Sequence, residues 1–161
     1  KGHREMTKNK QSNSSFQKVD IEKYVIEKLK KDSALLKKEP RLLNIKPNYI
    51  VNKTDTIFEF DFSIEDEKII GEIYAGIEEL KSGQRRKIAT DILKMIYYEK
   101  LSESKIEKYI ILVDDKIKVL LENGKSWLSK LIKSYCIILH VVQLDEELMN
   151  KLKSTKERQK R

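Results

Sequence analysis

The chain has 161 residues and a formal net charge of +8, with 39% hydrophobic and 37% charged residues. That length suits one domain with a real core rather than two, and the composition reads as a soluble protein with a heavily charged surface. No apolar run approaches the roughly 20 residues needed to span a bilayer, so a membrane role is not expected.

The N-terminal stretch "KGHREMTKNKQSNSSF" is charged and lacks the apolar centre of a secretory signal. Residues 1–17 are expected to be a leader, disordered or added for expression, because they cannot bury enough apolar surface to offset ordering. His3 belongs to it. "VDIEKYVIEKLKKDSALLKK" follows with apolar Val19, Ile21, Tyr24, Val25, Ile26 and Leu29 at helical spacing, Asp20 as its cap and Pro40 as its stop. "PNYIVNKTD" is a short extended run. "IFEFDFSIEDEKIIGEIYA" then alternates: Phe58, Phe60 and Phe62 are expected on one face, Ile57, Glu59 and Asp61 on the other, with "EDEK" as a hairpin loop. A helix is expected over residues 82–100.

"KYIILVDD" is an apolar run of strand length, typical of a strand covered on both faces. "KIKVLLENGKSWLSKLIKSY" is mainly helical, interrupted at Asn123-Gly124. "CIILHVVQL" reads as a second buried strand and "DEELMNKLKSTKERQ" as a closing helix. The expectation is an α/β fold with a central mixed four- to five-stranded sheet flanked by helices, in the order α-β-β-β-α-β-α-β-α. One domain over 18–150 would precede a basic tail over 151–161. The single cysteine, Cys136, excludes an internal disulfide and a cysteine-based zinc site. It reads as a small buried side chain in a reducing, cytoplasmic setting.

If "EDEK" closes the hairpin, Ile64 faces Ile69, Phe60 faces Ile73, Asp61 faces Glu72 and Glu59 faces Tyr74. Two opposed carboxylates repel each other in a plain hairpin, but they suit a cation between them. Mg²⁺ or Mn²⁺ takes one or two carboxylates and fills its remaining positions with water and substrate phosphate. A one-residue slip in register would exchange Glu59 for Asp61. The following helix carries Gln84, Lys87, Asp91 and Lys94 in one stripe beside the apolar arc. Lys87 is positioned to reach a phosphate near the metal and stabilise charge developing on its oxygens. Asp91 can hold Lys87 or Lys94 in place. A polar stripe is more often a solvated face, whereas an isolated Glu72 in an apolar strand is rare, since buried carboxylates are seldom left unpaired.

An acid on the second strand, an acid on the third and a lysine nearby, on the order α-β-β-β-α-β, resemble the PD-(D/E)xK superfamily of restriction-endonuclease-like nucleases. The resemblance covers roughly Val19 to Leu144. "GEIYAGIEELKSGQRRKIATDILKM" also looks like a block that recurs in a bacterial branch of that superfamily. The resemblance implies a restriction-endonuclease-like core in which Asp61 and Glu72 hold the metal. There are two departures from the motif: Tyr74 stands where it expects lysine, and Phe60 where it expects proline. Some branches carry the lysine on the following helix, which implies Lys87, with Gln84 matching a helix motif that contacts DNA or the site. The first helix can supply a glutamate, Glu22 or Glu27.

Arg85, Arg86 and Lys81 are candidate phosphate contacts, with solvated surface cations as the plain alternative. Lys81-Ser82-Gly83 lacks the full phosphate-loop pattern. His140, Trp127 and Leu131 read as core residues, Asp114-Asp115 as a turn, and no serine sits in a nucleophile-elbow context. The functional expectation is a Mg²⁺- or Mn²⁺-dependent endodeoxyribonuclease. Asp61 and Glu72 hold the metal, a water it activates attacks phosphorus, Lys87 stabilises the transition state, Gln84 positions, and Asp91 and Lys94 support. Cutting both strands of DNA from a one-site domain favours a homodimer. The alternative is a catalytically silent nucleic-acid-binding or assembly domain on the same fold.

Overall fold

The computed structural model describes residues 18–32 and 44–160. The expected leader over 1–17 and the helix stop at Pro40 lie outside the described residues. The first helix, α1, covers 18–30. Strands β1 (Ile45–Lys53), β2 (Thr56–Ile64) and β3 (Ile69–Tyr74) follow, then helix α2 (Ser82–Ser102) and strand β4 (Glu107–Leu112). Helices α3 (Asp115–Asn123) and α4 (Trp127–Ser134), strand β5 (Ile138–Val141) and helix α5 (Glu146–Lys160) complete the order. The one expected helix after β4 is therefore two. Asn123-Gly124 ends the first, and Ser126 caps the second by accepting from the Ser129 N–H at 3.3 Å. Helix α5 runs well past residue 150, as the expected closing helix does, and takes in residues 151–160 of the basic segment.

The five strands form one mixed sheet in sequence order. β1–β2 and β2–β3 are antiparallel, β3–β4 and β4–β5 parallel. Period-two alternation in β3 and β4 sends side chains to two opposite cores. Ile70, Tyr74, Ile110 and Leu112 pack with Ile88, Ile92 and Met95 of α2, Ile117 of α3 and Leu128 of α4. Ile69, Ile73, Tyr109 and Ile111 pack with Ile21, Val25 and Leu29 of α1, and with Met149 and Leu152 of α5. The result is a sheet between two helical layers, as expected for strands buried on both faces. Among the described residues no helix is long and apolar enough to cross a membrane.

Three expectations about buried residues are overturned. β5 is an edge strand, with Ile138 exposed and His140 half-buried. His140 Nε2 lies 2.8 Å from Asp32 Oδ2, so its environment is polar rather than apolar core. Trp127 is 65% exposed at the start of α4 and Cys136 is exposed just past its end. Leu131 does pack against the core.

Candidate functional site at the fork between β2 and β3

The hairpin loop is the expected one, with left-handed Glu65, Asp66 and Glu67 between Ile64 and Ile69. The β2–β3 ladder has the expected register, Ile64–Ile69, Ser63–Ile70 and Phe62–Gly71, but it ends there. Asp61 and Glu72, Phe60 and Ile73, and Glu59 and Tyr74 are not ladder pairs. The Ile73 N–H, which a continuing ladder would have bonded to backbone, donates instead to Asp61 Oδ2 at 2.7 Å. The strands part at this point and leave a fork.

The cause lies in β2 itself. Phe58 and Phe60 face the α2 layer, whereas Phe62 and Ile64 face the α1 layer, so the three phenylalanines do not share a side. β1 switches in step: Tyr49 and Val51 pack with the α2 layer, Ile45 with the α1 layer. Its ladder to β2 skips Asn48, which has φ 48°. A left-handed residue is tolerated by Asn more than by most side chains. Both strands thus turn over at Asn48 and Asp61. Gly71 permits the last rung, because a Cβ there would lie 2.1 Å from the Phe62 ring.

A cavity of about 270 Å³ opens at the fork, and Asp61, Glu72, Glu59, Lys87, Asp91 and Lys94 line it. Six candidates from three separate stretches of sequence are thereby brought together. Glu72 projects to the α2 side and is only 6% exposed. Lys94 reaches down from α2 and donates to Glu72 Oε1 and, at 2.7 Å, to the Glu59 carbonyl. Its ammonium also lies 4.0 Å from Asp91 Oδ1 and 5.2 Å from the centre of the Phe60 ring. Lys87, the lysine expected to serve the site, lines the same cavity but makes no hydrogen bond or ion pair among the described residues. The lysine on Glu72 is Lys94.

Burial, then the charge and hydrogen bond of Asp61, push the Glu72 carboxyl up to about 8, against the pull of Lys94. Burial also raises Asp91, opposed by Lys94 and Lys87. Glu22 of α1 is raised by burial and then by the charge of Asp61. Glu27 instead accepts from Lys30 at 2.9 Å on the exposed side of α1. Buried carboxyls raised further by the charge of Asp61 form a site that gains from added positive charge. Among the described residues no group of three or more His, Cys, Asp or Glu side chains is arranged to enclose a metal.

No family model, curated protein or solved structure matches this chain.

The remaining candidates lie elsewhere. Gln84 does not join the cavity, because it sits in the first turn of α2 and its Oε1 accepts from the Lys81 N–H at 2.9 Å. It caps the helix and lines a neighbouring cavity with Lys81 and Lys156. Arg85 Nε donates to the Leu80 carbonyl at 3.3 Å, and Arg86 is exposed. Tyr74 is buried against α2, its hydroxyl over Gly76 with no partner among the described residues. Burial pushes that phenol up to about 12. Asp114 caps α3 and also accepts from the Glu78 N–H at 2.7 Å, fixing the loop after β3. Sequence reasoning missed Lys18, Asn48 and Ile50 in the cavity wall. Lys18 had a signal: it stands four residues before Glu22 on one face of α1.

Proposed function

We propose that this chain is a metal-dependent nuclease that hydrolyses DNA phosphodiester bonds on a restriction-endonuclease-like core. The observation that carries the reading is the fork, where two acids from adjacent strands meet two lysines of one helix in a single cavity. The donor set fits a small divalent cation. Mg²⁺ needs only one or two carboxylates and completes its shell with water and substrate phosphate, so an all-protein cage is not required. A positive group, the Lys94 ammonium, already rests on Glu72.

Asp61 and Glu72 would hold the cation, which when bound supplies Lewis acidity to a phosphate oxygen and acidifies the attacking water. Asp61 is held in place by the Ile73 N–H. Lys87, unpaired among the described residues, is the group available to meet charge developing on the phosphate oxygens. Lys18 at the same cavity can attract a backbone phosphate, and the net charge of +8 favours a polyanion generally.

The test is cleavage of plasmid and single-stranded DNA with Mg²⁺ or Mn²⁺. Wild type should cut, and Asp61→Ala, Glu72→Ala and Lys87→Ala should each lose cutting by about 100-fold or more, as losing one preorganised charge does elsewhere. Wild type inert on both substrates with both metals would sink the reading. The second reading, a silent nucleic-acid-binding domain, draws on Tyr74, which is a core residue where the superfamily motif carries lysine. It predicts DNA retardation in a gel, unaffected by Glu72→Ala, with no cleavage.

A further inference from the structure

Lys94 is held in an unusual way for a surface lysine of a helix. Its two close acceptors, the Glu72 carboxylate and the Glu59 carbonyl, are oxygen donors of the kind a hard divalent cation takes. The Phe60 ring lies beside the ammonium, where its face attracts any cation. One helical turn back, Asp91 offers a third oxygen at 4.0 Å and lines the same cavity. A change of rotamer along the flexible four-carbon stem is enough to transfer the ammonium from one carboxylate to the other without moving the backbone.

On the metal reading above, we infer that Lys94 is a displaceable internal counter-ion: its ammonium fills the position at Glu72 that the divalent cation takes, and shifts to Asp91 when the cation arrives. The site thus carries its own competitor for the metal. In the cation-free state the ammonium offsets the charge of a buried carboxylate, which would otherwise be costly. With every lining carboxyl ionised, as at pH above about 8, Glu59, Asp61, Glu72 and Asp91 exceed the lining lysines, Lys18, Lys87 and Lys94, by one charge. Loading a divalent cation with Lys94 retained in the cavity reverses that excess to one positive charge. The cavity then suits an entering phosphodiester, and Lys87 remains available to it. Metal loading and substrate attraction become linked through the same lysine.

The experiment is calorimetric titration of the full chain with Mn²⁺, without nucleic acid, at pH 8.5, on wild type, Lys94→Met and Asp91→Asn. Methionine keeps the apolar stem beside Phe60 and removes only the competing charge. The charge-assisted hydrogen bond to Glu72 no longer has to be broken, so Lys94→Met should bind Mn²⁺ about tenfold tighter or more. Asp91→Asn keeps an oxygen but removes the carboxylate charge to which the ammonium moves, and should bind more weakly than wild type. A lysine that merely holds the fold together would not shift the two variants in opposite directions. Lys94→Met binding with equal or lower affinity overturns the competition, and unchanged affinity in Asp91→Asn overturns the transfer to Asp91. Should Lys94→Met fail to fold, Lys94→Gln, which also lacks the ammonium, decides by the same rise in affinity or its absence. No Mn²⁺ binding by folded wild type overturns the metal reading itself, an outcome distinct from either failure of the Lys94 assignment.

Discussion

Replacing Glu72 by Gln keeps an oxygen for Lys94 and removes a titrating carboxyl, and its effect on stability should depend strongly on pH. The Glu72 carboxyl ordinarily titrates at 4.5 and is pushed up to about 8 in the folded chain, chiefly by burial. The folded state therefore binds this proton more tightly than the unfolded state. The resulting stabilisation is complete below about pH 4.5, is lost as pH rises, and is gone above about pH 8. Within that window each pH unit is worth about 1.4 kcal/mol. From pH 5 to pH 7 wild type should lose about 3 kcal/mol relative to Glu72→Gln. The comparison cancels the other raised carboxyls, Glu22 and Asp91, because both proteins carry them. Urea unfolding at pH 5, 6, 7 and 8 with chelator present measures the difference directly. The two stability curves should diverge upward in pH, with the variant the more stable protein at pH 7. Parallel curves, within about 0.5 kcal/mol across the range, would refute the claim that Glu72 is buried beside Asp61.

Two further substitutions probe the strand that carries Glu72. Tyr74→Phe removes a buried hydroxyl with no partner among the described residues. It should leave stability unchanged or raise it by up to about 1 kcal/mol in thermal or urea unfolding, and leave DNA cleavage intact. Loss of cleavage would mean that the hydroxyl acts in the site. Gly71→Ala brings a methyl group to 2.1 Å from the buried Phe62 ring at the last rung of the hairpin. It should destabilise by about 1–3 kcal/mol in the same assay, and a neutral result would mean that the ring does not pack over that rung.

The hairpin register was legible because a polar loop flanked by isoleucines fixes which residues oppose each other. The end of the ladder was not. Alternation counts parity along one chain and assumes that a strand keeps its faces, whereas β1 and β2 turn over together at Asn48 and Asp61. Two local signals existed. Asn tolerates a left-handed backbone, and a glycine in an otherwise apolar strand often marks a close approach, here of the Phe62 ring to Gly71. The misjudged Trp127 and Cys136 have a different cause. An apolar residue in an amphipathic pattern is buried only if something covers it, and Trp127 and Cys136 stand at the start of α4 and just past its end, where nothing among the described residues does so. Single exposed apolar side chains carry no penalty that a sequence would reveal.

The polar stripe on α2 was legible as a stripe, but its phase could not select which lysine meets Glu72. Lys87 and Lys94 are seven residues apart, about 10 Å along a helix rising 1.5 Å per residue. One carboxylate at a fixed height on the sheet can therefore hold only one of them closely. That height is set by how far α2 begins beyond β3, and the intervening loop is fixed by contacts distant in sequence. Asp114 holds the Glu78 N–H, and Lys156 of α5 donates to the Ile77 carbonyl at 2.7 Å. The same geometry explains Tyr74. Two residues beyond Glu72, position 74 faces the same α2 layer, beyond the fork and inside the core. A lysine there would have to bury its charge among Ile88, Ile92 and their neighbours. In this fold the cation reaches Glu72 from the helix above, so a tyrosine at position 74 costs the site no charge.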